Sequence, residues 1–194
     1  SEGRTVLFVS HNMGSIAELC TRAVLMEHGS LSFSGPVQEV IDHYLTGIKT
    51  NPETVFSNVQ HLDCYVRSVK FLDDKGDLKD QFDITESVTV EFQFVVVEPK
   101  PLTGFGFTFF RGGTPLFVEY SSQGEHDVSF HQNTGTHKVS YKIPAMLLKE
   151  GKYLIKLATY DATTQFYYDE QPAFQIESNV IDTTNKSYRQ DRSG

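Results

Sequence analysis

A group of histidines and carboxylates late in the chain has the residue types that bind metal ions. His126, His131 and His137 lie close in sequence to Glu125 and Asp127. Zinc sites need ligands at spacings that bring their donor atoms to one point, and these spacings fit no zinc ligand set. We therefore predict no metal site, and we expect solvated histidines in a loop and at the start of a strand.

Pairs of acidic residues form a second group, because two carboxylates on either side of a sugar bond can hydrolyse it. Asp73 and Asp74 make one pair, and Asp169 and Glu170 make another. Both pairs lie at predicted turns, where contact with water accounts for them. Nothing in the sequence places two carboxylates across a substrate bond, so we predict no glycosidase.

Aromatic residues with polar neighbours form a third group, whose chemistry is binding rather than catalysis. An aromatic ring can cover the apolar face of a sugar ring while polar side chains beside it bond the hydroxyl groups. The aromatic candidates at predicted outward strand positions are Phe110, Phe117, Tyr120, Tyr160 and either Tyr167 or Tyr168. Their polar neighbours are Arg111, Glu119, Gln123, Asp161, Gln165 and Asp169. The chain has no Trp, and the alternative for each aromatic candidate is a place in the core or in an interface.

Composition narrows the class of partner. The formal net charge is -8, which argues against nucleic acid and anionic lipid because both bind cationic surfaces. Cys20 and Cys64 form neither a Cys-x-x-Cys pair nor a disulfide framework, so we expect a reducing compartment. No apolar run has the length that spans a bilayer.

Two predicted strands position most of the aromatic candidates. Residues 88–96 alternate Val or Phe with polar residues, which is typical of a strand with one buried face. After a proline-bearing loop, Phe105, Phe107 and Phe109 alternate with small residues. We therefore expect both strands to place their phenylalanine rings in the same core.

The small residues of the second strand predict a surface of their own. Gly104, Gly106 and Thr108 lie opposite the phenylalanine face, and we expect them to leave a flat, uncluttered strip that ends at Phe110. A sugar chain or a strand of another subunit could lie on it.

Short strands with turns between them recur over residues 61–178. This pattern predicts an immunoglobulin-like antiparallel β-sandwich, preceded by a linker at 47–60 and followed by a polar tail at 179–194. Tyr153 follows a Leu-rich turn and Gly151, which is the layout of a tyrosine corner. An ordinary core tyrosine is the alternative.

Residues 1–46 have the pattern of a small α/β unit. The apolar run 5–10 is typical of a parallel strand covered on both faces. A helix capped by Asn12 or Ser15, a hairpin over 23–33 and a second helix follow it. An unpaired apolar strand is an aggregation hazard, so we expect residues 5–10 to pair with an edge of a second chain or to pack on the sandwich.

The stretch GRTVLFVSHNMGSIAELCTRAVLMEHGSLSFSGPVQEVIDHYL resembles the C-terminal end of an ABC-transporter ATP-binding domain. Its part VSHNM is similar to that family's switch-histidine loop, which implies that His11 would contact the γ-phosphate and orient the attacking water. The chain contains no Gly-x-x-x-x-Gly-Lys-Ser/Thr stretch, and the family's signature motif and acidic magnesium-binding strand are also absent. We therefore predict that this chain is not an enzyme and that His11 is a remnant without a catalytic role. ATP and magnesium are expected only for a longer parent protein.

Beyond residue 60, the stretches VRSVKFLDDKG, FGFTFF and IPAMLLKEGKYLIKLATYD are similar to the C-terminal domain of ATP-binding subunits of the Wzt type, which serve O-antigen polysaccharide exporters. The resemblance implies non-catalytic recognition of a lipid-linked O-antigen polysaccharide, which gives the exporter its substrate specificity. It also implies a homodimer, a transmembrane permease partner and a cytoplasmic location at the bacterial inner membrane. The alternative is a sandwich for dimerisation or regulation without a glycan site.

Overall fold

The computed structural model describes residues 5–10, 13–121 and 133–178. The first elements along the chain are helix α1 (Met13–Leu19), strand β1 (Arg22–Glu27), strand β2 (Ser30–Pro36) and helix α2 (Val37–Gly47). Strands β1 and β2 pair in antiparallel fashion as a separate sheet. Within the described ranges, no helix has the length and apolar character needed to cross a membrane.

Two residues, His28 and Gly29, form the turn of this first hairpin. His28 and Gly29 have φ of 49° and 79°, which a tight two-residue hairpin turn requires and glycine adopts without strain. The hairpin and the second helix therefore confirm the sequence prediction. Ser15 lies inside α1 and does not cap it, while Asn12 lies outside the described residues.

The apolar run 5–10 differs from its prediction. It forms no strand, and Val6, Leu7 and Val9 are 82%, 91% and 95% exposed. A parallel strand requires neighbours on both sides, and the described residues provide none here. Packing on the sandwich is therefore wrong, whereas pairing with a second chain stays a prediction.

The sandwich begins after α2. Its strands are β3 (Glu53–Val55), β4 (Cys64–Leu72), β5 (Gln81–Asp83), β6 (Val88–Val96), β7 (Gly104–Arg111), β8 (Thr114–Tyr120), β9 (Gly135–Ile143), β10 (Gly151–Tyr160), β11 (Gln165–Tyr167) and β12 (Gln171–Glu177). The first sheet has the order β3-β4-β6-β9. The second sheet has the order β5-β12-β10-β7-β8, and β11 pairs with β10.

This architecture confirms the predicted mainly-β sandwich, with two local differences. Strand β3 lies within residues 47–60, which were predicted as a linker, and pairs with β4. Strand β5 pairs with β12 in parallel, unlike the antiparallel pairs around it. The parallel pair arises because the chain crosses from the end of β4 in the first sheet to the edge of the second sheet.

Phenylalanine rings from facing strands fill the space between the sheets. The ring centroid of Phe92 lies 5.0 Å from those of Phe105 and Phe107, and Phe94 lies 5.1 Å from Phe105. All of these side chains are buried. Aromatic pairs at such separations are stabilised beyond the burial of their area, and their positions confirm the prediction made for these strands.

Tyr153 forms a tyrosine corner at the start of β10. Its Oη donates a hydrogen bond to the carbonyl oxygen of Lys149 at 2.6 Å, and its ring stacks on Phe174 with centroids 5.1 Å apart. Burial raises the pKa of Tyr153, while the neighbouring Arg111 and the Lys149 carbonyl oppose that rise. The protonated phenol therefore holds the preceding turn against the core, as the corner alternative predicts.

The two helices pack against the outer side of the second sheet. Met13, Ile41 and Leu45 form a buried apolar cluster with Leu154 of β10, and Phe110 of β7 packs against it. Both helices are short, and packing of this apolar face supplies stability that an isolated helix lacks. The helices and the sandwich therefore share one interface.

Polar contacts reinforce this interface. Nε2 of Gln38 donates to the carbonyl oxygen of Gly112 at 3.2 Å. Nζ of Lys152 donates to the carbonyl oxygens of Thr46 at 2.8 Å and Ile48 at 2.5 Å. These carbonyls lie at the end of α2, where helix carbonyl groups lack intrahelical partners and a cation is favourable.

The tyrosine corner yields a stability prediction. Tyr153→Phe leaves the Lys149 carbonyl without its donor, so we expect the free energy of unfolding to fall by about 1–2 kcal/mol. Urea unfolding followed by circular dichroism measures this change. Tyr44→Phe is the matched control, since Tyr44 is exposed on α2, and equal effects of the two substitutions would contradict the role assigned to Tyr153.

A pair of glycine substitutions tests the helix interface. Gly113 and Gly76 have φ of 77° and 86°, so alanine at either position is strained. A Cβ at Gly113 would also lie 2.8 Å from the carbonyl oxygen of Met13, whereas one at Gly76 would meet nothing within 4 Å. We expect Gly113→Ala to lower the free energy of unfolding by about 1 kcal/mol or more beyond Gly76→Ala. Equal losses in parallel urea titrations would show that α1 does not press on this turn.

Candidate functional site

The solvent side of strands β7, β8, β10 and β11, here called the outer face, brings several aromatic candidates together. Tyr120 pairs across the sheet with Gly106, and Tyr160 pairs with Gly104. Residues directly opposite each other project on the same side of a sheet. The rings of Tyr120 and Tyr160 meet edge to face with centroids 6.0 Å apart, so both tyrosines occupy the outer face, as predicted.

The two glycines provide the room for these rings. A Cβ at Gly106 would lie 2.7 Å from Cδ1 of Tyr120, and one at Gly104 would lie 2.9 Å from Oη of Tyr160. The expected flat, uncluttered strip is therefore wrong. The space left by the missing Cβ atoms is filled by the tyrosines of the neighbouring strands.

A shallow cavity of about 230 Å³ opens beside these rings on the outer face. Tyr120 and Tyr167 are its aromatic walls, and Thr108, Lys156 and Gln165 are its polar lining. Tyr167 is 60% exposed, which leaves its ring available for contact. The cavity therefore combines aromatic surface with hydrogen-bonding groups, the combination that a sugar ring requires.

Phe110 lies at one end of the outer face. It lines the cavity and also packs against the apolar cluster formed by the helices. Its predicted outward orientation is confirmed, but part of its surface is used by the helix interface. Phe110 therefore closes the outer face at the end that the helices cover.

Tyr168 is excluded from this surface. It is only 4% exposed, and its Oη accepts a hydrogen bond from the backbone N–H of Val66 at 2.7 Å. Burial raises its pKa to about 12. Adjacent strand residues alternate between faces, and here Tyr167 points outward while Tyr168 enters the core. The prediction that Tyr168 could bind a sugar is therefore wrong.

Phe117 and Glu119 lie on the other side of β8. They pair with Phe109 and Phe107, whose rings belong to the core. The predicted outward position of Phe117 is therefore wrong, and Glu119 faces away from the aromatic residues of the outer face. Both line a larger groove, of about 640 Å³, between the edge strands β8 and β9, together with Tyr141. We call this the edge groove. Burial and the nearby Glu119 raise the pKa of Tyr141 to about 12.

Arg111 belongs to the edge groove and not to the outer face. Its side chain crosses the backbone of Gly151, where an added Cβ would lie 3.3 Å from Nε. It also stands beside the tyrosine-corner phenol of Tyr153. Its position therefore indicates a structural role at the start of β10.

The remaining polar candidates have different surroundings. Oδ1 of Asp161 accepts hydrogen bonds from Thr163 and Thr164; although burial acts to raise its pKa, these bonds hold it at about 2. The carboxylate of Asp161 therefore stabilises its own turn, whereas Gln165 lines the cavity. Asp169 is exposed and lines none of the grooves described above.

Several predicted residues lie outside the described ranges, namely His11, Gln123, Glu125, His126, Asp127 and His131. His137 is described; it lies in β9, and its Nε2 is 3.2 Å from the carbonyl oxygen of Asn133. Among the residues that the structure describes, no group of three or more His, Cys, Asp or Glu side chains could hold a metal ion.

Sequence reasoning did not include Lys156 and Val118 among the site residues, and Thr108 entered it only as part of the expected flat strip. Lys156 lies on β10 directly opposite Thr108 of β7, and Val118 is opposite Thr108 on the other side. The alternation of β10 does indicate that Lys156 faces away from the core, because Ile155 and Leu157 are buried. The pairing of β10 with β7, which sets it beside the tyrosines, is not contained in that local pattern.

Taken together, the described elements define a β-sandwich module with a short helical unit packed against its second sheet. The family model of the Wzt C-terminal domain matches residues 61–188. The chain belongs to the Wzt C-terminal domain family, which confirms the resemblance noted for the sandwich stretches.

Curated relatives match a short part of the chain. The ABC transporter protein AbcA of Aeromonas salmonicida is 46% identical over 44 residues, which are 23% of this chain and 14% of that protein. The teichoic acids export ATP-binding protein TagH of Listeria monocytogenes serotype 4b (strain F2365) is 41% identical over 44 residues, 23% of this chain and 13% of that protein. TagH of Bacillus anthracis is 33% identical over 43 residues, 22% of this chain and 8% of that protein. The chain thus spans less than a fifth of the length of each of these relatives.

A solved structure is similar at the level of the chain trace. The crystal structure of the C-terminal domain of Wzt aligns with a TM-score of 0.49 and 13% sequence identity, covering 72% of this chain and 87% of that chain.

The close contact between Gly106 and Tyr120 yields a prediction about the position of the Tyr120 ring. Gly106→Ala places a methyl group against Tyr120, so we expect the ring to move away from Tyr160 and the cross-peaks between the two rings in a nuclear Overhauser spectrum to weaken strongly. Gly47→Ala is the control, since a Cβ there meets nothing within 4 Å. Unchanged ring contacts in Gly106→Ala would mean that the glycine does not set the position of Tyr120.

Proposed function

We propose that this domain recognises a polysaccharide, without catalysis, through the outer face of its second sheet. The observation that carries the proposal is the placement of Tyr120 and Tyr167 as exposed walls of a cavity that also presents Lys156 and Gln165. Aromatic walls suit the C–H faces of pyranose rings, and the polar groups suit their hydroxyls. Membership of the Wzt C-terminal domain family supports this reading.

The proposal extends to the protein of which such a domain is part. In that protein, the sandwich recognises a lipid-linked O-antigen polysaccharide and confers substrate specificity on an ABC exporter. The protein acts at the cytoplasmic side of the bacterial inner membrane. Similarity to a teichoic acids export ATP-binding protein supports an ATPase parent with a transmembrane permease partner. ATP and magnesium would act in that parent, and His11 would be the remnant of its switch histidine.

Binding at such a shallow surface is expected to be weak for each site. A homodimer presents two outer faces to one repeating polymer, and the second contact then forms at a high effective concentration. Pairing therefore raises the overall affinity without any new contact in the site. This is the physical reason to expect a dimer together with glycan recognition.

The alternative function is a dimerisation or regulatory domain without a glycan site. The edge groove favours it, because Leu116 and Leu147 beside the groove are 44% and 63% exposed. Exposed apolar surface of this kind is often covered by another protein surface. A dimer through the edge groove leaves the outer face open, so it is compatible with sugar binding, whereas a dimer through the outer face excludes it.

A calorimetric titration tests the proposal. The chain should bind the polysaccharide exported by its source bacterium and fail to bind an unrelated bacterial polysaccharide. Tyr120→Ala and Tyr167→Ala should each weaken binding about tenfold, because each removes one stacking wall. Tyr44→Ala removes an exposed tyrosine of α2, remote from the cavity lining, and should bind as the parent chain does.

Two results would contradict the proposal. Equal or absent binding to both polysaccharides removes the claim of specificity. Specific binding that survives both tyrosine substitutions shows that the glycan lies elsewhere than on the outer face. Each variant is first compared with the parent chain by thermal unfolding, so that a loss of binding is not a loss of fold.

A further inference from the structure

Lys156 lies at the centre of the outer face, in a distinct electrostatic setting. Its Nζ is 5.7 Å from the centroid of the Tyr167 ring, and the side chain lines the cavity. It is half-buried on β10. Other lysines pair with acids, such as Lys79 with Glu86, but no carboxylate pairs with Lys156 within the part of the chain that the structure describes.

Among the described residues, the outer face around Lys156 contains no acidic side chain. Neither the outward residues of β7, β8, β10 and β11 nor the lining of the cavity includes Asp or Glu in the described ranges. The whole chain nevertheless carries a formal net charge of -8, which repels anions from most of its surface. The outer face is therefore a place where an anion can approach the domain and meet a cation.

The register of the strands determines which residues surround Lys156 on the outer face. Ala158 of β10 pairs with Gly106 on one side and with Tyr167 on the other, and Tyr120 lies beyond Gly106. Lys156 is the outward residue of β10 immediately before Ala158. A ring placed against Tyr167 over this small-residue floor would thus carry its substituents beside the ammonium group.

We propose that Lys156 makes the outer face selective for an anionic sugar residue, a uronic acid or a sugar phosphate, over its neutral counterpart. This inference rests on the proposed function and adds the substrate class. Lysine has three donors and no acceptor, so it binds a carboxylate or phosphate better than a hydroxyl group. The attraction between a half-buried cation and an anion is also screened less by water and salt than that of an exposed pair.

Matched pairs of monosaccharides test the inference by nuclear magnetic resonance titration of the full chain. The probes are glucose, galactose and mannose, the three corresponding uronates, glucose 6-phosphate and inorganic phosphate. Shifts of the Gly106, Thr108 and Ala158 amides report binding at the outer face. At least one anionic sugar should bind about fivefold or more tightly than its neutral counterpart, and the difference should shrink as salt is added.

Two charge variants identify the residue responsible. Lys156→Gln should abolish the preference for the anionic sugar, so that the charged and neutral members of each pair bind with equal affinity. Lys75→Gln removes the same charge from a turn away from the outer face and should keep the preference. Preference for uronates or for glucose 6-phosphate each supports the proposal and identifies the anionic group.

The remaining outcomes overturn it in distinguishable ways. Equal binding of neutral and anionic sugars removes the selectivity but leaves the proposed glycan recognition standing. Shifts produced equally by inorganic phosphate show an anion site without sugar recognition. If no monosaccharide shifts the outer-face amides, the inference about Lys156 is wrong where the polysaccharide still binds, and both proposals are wrong where it does not.

Discussion

The packing of phenylalanine rings between the two sheets is the interaction on which the rest of the structure depends. The ring centroid of Phe92 in β6 lies 5.0 Å from those of Phe105 and Phe107 in β7, and that of Phe94 lies 5.1 Å from Phe105. Because these rings point inward, strand alternation sends the glycines between them outward. The rings of Tyr120 and Tyr160, from β8 and β10, pack against those glycines. The outer face therefore consists of the residues that alternate with the core residues along the same strands.

The sequence predictions were right where a local pattern decides the structure, and they failed where pairing between distant strands decides it. Strand β6 and the corner at Tyr153 could be predicted, because a period of two and a turn followed by a tyrosine are local patterns. The predicted face of Phe117 was wrong, and the choice between Tyr167 and Tyr168 stayed open. Both depend on where β8 and β11 begin and on pairing with distant strands. Lys156 was missed for the same reason: its neighbours come from β7 and β11, and single-strand periodicity does not reveal them.

The helical unit and the outer face share strands β7 and β10, and this sets the limits of the binding surface. Leu154 and Phe110 are the outward residues at one end, and the cluster around α2 covers them. Lys156 and Tyr160 follow along β10 and stay outside that cluster. The helices therefore restrict access to one end of the outer face, while Lys152 holds the end of α2 to the same strand.

A face organised in this way favours binding over chemistry. The rings of Tyr120 and Tyr160 are constrained by each other and by the strand beneath them, so they lose little conformational freedom when a ligand arrives. Displaced pKa values often mark catalytic groups, but Asp161, which follows Tyr160 and has a pKa of about 2, accepts its hydrogen bonds from its own turn. What the described cavity offers is stacking surface and one cation. Under the proposed function, such a surface discriminates ligands by shape and charge, with Lys156 as the group that selects for charge.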